Sequence, residues 1–169
     1  MNLHACIDQL AANAETIRGL VQGVSAEQAS WKPAPEEWSI LEVVNHLYDE
    51  EREDFRTRLE FTLHQPGQAW PPIDPEGWAI ARQYNQRELQ ASLDGLLIER
   101  QTSLAWLQSL EDPDWAAVFR HPSGRVIRAG DLLASWVAHD FLHIRQITDL
   151  QRAYLPVAVA PYTTDYADA

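Results

Sequence analysis

The chain has 169 residues, 46% of them hydrophobic and 22% charged, with 25 acidic residues against 13 basic ones and a formal net charge of −12. That length and composition suit one folded domain with a buried core and exclude a disordered chain. The acidic balance repels phosphate backbones and anionic lipid, so binding of nucleic acid or of a membrane by bulk charge is excluded as well.

Cys6 is the one cysteine, which rules out an internal disulfide and fits a reducing compartment. The N-terminal residues show no basic region followed by an apolar run, and no stretch nears the 18 or so apolar residues of a membrane span. A cytoplasmic protein is the expectation.

Leu3, Ile7, Leu10, Ala14, Ile17, Val21 and Val24 alternate steps of four and three, the apolar stripe of a helix packed in a bundle. Gly23 and Ser25 end it. A proline-punctuated connector follows, and its Trp31 and Trp38 are expected to cover the bundle end. Ser39 to Glu42 is a capping box that opens the second helix. Ile40, Leu41, Val43, Val44, Leu47, Tyr48, Phe55 and Leu59 form its apolar side, and the run from Asp49 to Asp54 is expected to be mostly a solvated face.

Prolines and glycines between His64 and Gly77 mark a loop. A third helix is expected over residues 78–110. At about 1.5 Å per residue it would reach about 50 Å, so a break is expected, with Gly95 as its site. Asp112-Pro113 stops it. Two short apolar runs around His121-Pro122-Ser123-Gly124 predict a small hairpin or an ordered loop. The fourth helix is expected over residues 129–154. Residues 1–155 then form the bundle domain, and residues 156–169 an apolar, non-helical tail packed on the bundle or on a partner subunit.

The fourth helix contains His139 and His143, which a helix places on one face. His46 lies about two turns into the second helix, equally surrounded by large apolar residues, where an unpartnered imidazole costs free energy. Second and fourth helices can face each other in a bundle. Three neutral imidazoles with open positions suit a divalent metal, zinc, nickel or iron. Asp140 stands where a His-Glu-x-x-His protease has glutamate, so that mechanism is not indicated. His4, His64 and His121 sit in terminal or loop-like surroundings and read as solvated.

The segment Trp31 to Leu47 (Trp-Lys-Pro-Ala-Pro, then Trp-Ser-Ile-x-Glu-x-x-x-His-Leu), Pro122-x-Gly124, Asp131-Leu132-Leu133 and His139-x-x-x-His143-x-x-Gln146-Ile147 resemble the DinB-like family, the DinB/YfiT-like metalloenzymes. The resemblance covers the chain to about residue 155. It implies an all-α, up-down four-helix bundle with a long crossover, metal ligands His46, His139 and His143, and frequent homodimers. It also implies a small-molecule reaction, either a transfer dependent on a low-molecular-weight thiol or a metal-assisted hydrolysis. The same ligands serve both.

A metal so held lowers the pKa of its bound water, the expected nucleophile. By spacing, Gln146 and Glu50 fall on the metal side. Glu50 orients water or acts as a base, or is one more charge of the acidic run, the reading preferred here. Trp136 and Asp140 flank the histidine pair and line a pocket, although core packing is preferred for Trp136. Arg145 and Arg152 either bind an acidic substrate or pair with neighbouring acids. The reading from a different class is a non-catalytic stress-response bundle that binds a metal or ligand.

Overall fold

Local sequence accounts for where most helices begin and end. In the computed structural model, which describes residues 1–168, α1 (Leu3–Val21) is capped by Asn2, whose Oδ1 accepts from the Ala5 amide at 3.1 Å. It buries Ile7, Leu10, Ala14, Ile17 and Val21, the predicted stripe. The chain leaves it through Gly23 at φ 81°, a left-handed conformation that glycine adopts without a Cβ clash. A single turn, α2 (Ala26–Ser30), is capped by Ser25.

The capping box at Ser39 and Glu42 is formed in both directions and starts α3 (Ile40–Asp49). The rod continues through a π-helical segment, Glu50–Phe55, into α4 (Arg56–His64). After a loop come α5 (Pro75–Ala81) and the long α6 (Leu89–Ser109). An antiparallel hairpin, β1 (Val118–Arg120) and β2 (Val126–Arg128), pairs Phe119 with Ile127. It leads into α7 (Ala129–Val159).

These elements make a four-helix bundle from α1, the α3–α4 rod, α6 and α7. Both α1 and α3 pack against α6 and α7, which puts α1 and α3 on one diagonal. The core divides into two apolar clusters. One gathers Ile17, Val43, Val44, Leu96 and Ile147, and the other Leu10, Leu59, Leu107, Leu133 and Trp136. Buried polar residues lie between them in sequence, Asn13, Glu51, Arg100, Asp140 and His143, with His46 just before Leu47 of the first cluster. No helix among the described residues is long and apolar enough to cross a membrane.

Three expectations are corrected. The break before α6 falls at residues 82–88, not at Gly95. Gln83 takes the left-handed conformation there (φ 52°). Gly95 lies inside α6, where a Cβ would stand 3.3 Å from the Tyr48 ring, so its smallness serves helix packing. The acidic run is not a solvated face. Asp49, Glu50, Glu51 and Asp54 are all buried: Arg82 and Tyr84 meet Asp49, Arg100 of α6 meets Glu51, and Arg58 of the same rod pairs with Asp54. Finally, α7 does not stop at Pro156 but continues to Val159. Leu155 and Val157 are exposed there.

Candidate metal centre

Two elements deliver three imidazoles to one point. The capped α3 carries His46 in its second turn, and α7 presents His139 and His143 one turn apart. His46 Nε2 lies 3.3 Å from His139 Nε2, which lies 3.1 Å from His143 Nε2. One nitrogen from each ring falls within 4.8 Å of the others. Two nitrogens bound to one tetrahedral ion at about 2.0–2.1 Å stand about 3.3 Å apart. The donor set therefore fits a single divalent ion.

Electrostatics agree with this. Burial, reinforced by His143 and then His139, pushes His46 down to about 2. Burial and His143 push His139 down to about 3, and burial lowers His143. All three rings are neutral at pH 7, with lone pairs available to a cation. His143 Nδ1 donates to Gln146 Oε1 at 2.7 Å, which leaves Nε2 as the acceptor and fixes the ring. Nδ1 of His46 is buried without a hydrogen-bond partner. The Trp38 ring stands edge-on to His46 at 4.8 Å, and Phe55 lies 5.0 Å from His139.

The three histidines open into a cavity of about 730 Å³ whose wall includes Trp38, Leu142 and Gln146. Trp38 thus belongs to the site wall rather than simply to the bundle end. Trp31 packs edge-on against Tyr154.

Other residues singled out by spacing lie elsewhere. Trp136 is core: it stacks on Phe55, and its Nε1 donates to Glu51 at 2.9 Å. Asp140 is buried and accepts from Arg100 at 2.6 and 2.8 Å. Glu50 does not line the cavity. Burial, then a hydrogen bond to Asp54, pushes it up to about 8, so it holds a proton at neutral pH. Arg145 is exposed and 3.5 Å from Asp149, and neither it nor Arg152 lines the cavity. His4, His64 and His121 are exposed, as expected.

Spacing did not point to Arg100. Its Nε and Nη2 donate to Glu51, both Nη atoms donate to Asp140, and Nη1 also reaches the Leu10 carbonyl. All five donors are used. An arginine in the middle of an apolar helix stripe is the only trace of this in the sequence.

The family model of the DinB superfamily matches residues 9–147. The chain belongs to the DinB superfamily. Among solved structures, it is similar to YfiT from Bacillus subtilis, described as a probable metal-dependent hydrolase with an unusual four-helix bundle topology. The two are 24% identical, with a TM-score of 0.79 over 89% of this chain and 86% of that one. At that identity the likeness speaks for the fold. No curated protein matches the chain. In this DinB-superfamily bundle, the His-x-x-x-His-x-x-Gln segment is the part of α7 that carries two of the three imidazoles and their hydrogen-bonding glutamine.

Proposed function

We propose that this protein is a metal-dependent hydrolase of small molecules, with His46, His139 and His143 as ligands of one divalent ion. The observation that carries the reading is the convergence of three imidazole nitrogens, those of the buried His46 and His143 and of the half-buried His139, on one cavity. Such an ion, once bound, polarises a carbonyl or phosphoryl oxygen and lowers the pKa of a water it holds.

The protein's own part is positioning. Gln146 holds the His143 ring in the tautomer that offers Nε2. Phe55 and Trp38 pack against the other rings and limit water around them. The YfiT description supports hydrolysis as the reaction class. Transfer to a low-molecular-weight thiol uses the same ligands. The arginines that would hold such a thiol's carboxylates stand outside the cavity, which favours hydrolysis.

The test is a panel of carboxylic esters, phosphate esters and amides, assayed with zinc-, nickel- and iron-loaded protein. Hydrolysis that disappears with a chelator and in His143→Ala is expected. Turnover that survives both, or transfer to a supplied thiol with no hydrolysis, contradicts the reading.

A further inference from the structure

The cavity over the histidines has an unbalanced wall. Glu36 and Glu37 from the connector before α3, Glu76 from α5 and Asp149 from α7 all line it. No lysine or arginine does, among the described residues. All four carboxylates are on exposed residues, so they stand at the rim rather than on the floor. Arg145, 3.5 Å from Asp149, offsets one of them only weakly, since both side chains are largely in water. The whole chain carries a formal net charge of −12. The half-buried Trp38 adds an aromatic ring to the same wall. Carboxylates and an indole are the two kinds of group that attract an alkylammonium ion, the first by charge and the second by its ring quadrupole.

We infer that this cavity selects substrates bearing a cationic group of the alkylammonium class and turns away anionic ones. The inference rests on the hydrolase reading of the same site, because it assigns the substrate end that remains in the cavity mouth while the scissile group reaches the histidines. Its consequence is specific. A thiol cofactor or an ester carrying free carboxylates meets four like charges on entry, whereas an amine-bearing ester or amide is drawn in.

The experiment uses full-length zinc-loaded protein and three hydroxamates of the same chain length. One ends in trimethylammonium, one in methyl and one in carboxylate. Dissociation constants are measured calorimetrically at low and at high salt, with and without zinc. At low salt the trimethylammonium probe is expected to bind about tenfold more tightly than the carboxylate probe. That ratio should shrink toward one at about 0.5 M salt, as exposed charges are screened. It should also collapse in a variant combining Glu36→Gln, Glu37→Gln, Glu76→Gln and Asp149→Asn. Equal affinities, a preference for the carboxylate probe, or a ratio that survives the four substitutions overturns the inference. Failure of the underlying reading looks different. All three probes would then bind no better with zinc than without it, whatever their charge, and that overturns both.

Discussion

His46, Glu50 and Asp54 follow one another at intervals of four along a single rod, yet burial treats them differently. His46 is held neutral and turned to His139 and His143, while Glu50, buried beside Asp54, keeps its proton. The Glu50 value has a signature in stability. Its folded-state pKa, about 8, lies above its ordinary value of 4.5. Stability from the protonated group is therefore fully present below about pH 4.5 and lost as pH rises through 8. Between pH 7 and pH 9 wild type should lose about 1 kcal/mol of unfolding free energy that Glu50→Gln does not lose. Urea denaturation at the two pH values measures it, and equal losses in both proteins would remove Glu50 as the cause. The placement of His139 and His143 on one helix face was legible from their spacing. The burial of Glu50 and Glu51 was not, because a run of six charged residues ordinarily faces water, and Glu51 meets its partner Arg100 only 49 residues later.

Helix starts were written locally and the interruptions were not. Ser39 and Glu42 announce α3, and the structure forms both bonds of the box. Ser39 is completely buried and also donates to Asn85 Oδ1 at 2.6 Å, so Ser39→Ala should cost about 1–2 kcal/mol. Chemical denaturation reads that loss, and an unchanged midpoint would mean the cap does not hold α3. The break before α6 was misplaced because Gln83, not a glycine, takes the left-handed conformation, and no residue type advertises that. Gly95 looked like a hinge but is a contact point for Tyr48. The π-helical segment is equally silent in sequence, although such segments favour functional sites, and this one directly follows the helix that carries His46.

At the scale of the molecule, one buried ionic network joins all four long elements. Arg100 of α6 bonds Glu51 of the rod, Asp140 of α7 and the Leu10 carbonyl of α1, and Asn13 of α1 also donates to Asp140 at 3.2 Å. Asp140 is the neighbour of His139, so the network fixes the stretch of α7 that presents the site. Arg100→Ala leaves two buried carboxylates uncompensated and should cost about 3–5 kcal/mol, a large part of a small domain's stability. Combining it with Glu51→Gln and Asp140→Asn should recover part of that loss. Urea midpoints of the single and triple variants give the comparison, and a triple variant no better than the single one would contradict the ionic account. The four-helix architecture itself could be read from apolar periodicity and the family motif. The acidic rim of the cavity could not, since Glu36, Glu37, Glu76 and Asp149 come together only through the fold.

The most direct measurement is metal content, by mass spectrometry on untagged protein, for wild type beside His46→Ala and His143→Ala. About one divalent ion per wild-type chain is expected, lost from both variants. A wild-type protein that is purified without metal, and whose melting temperature neither zinc nor nickel raises, would contradict the three-histidine centre and the hydrolase built on it.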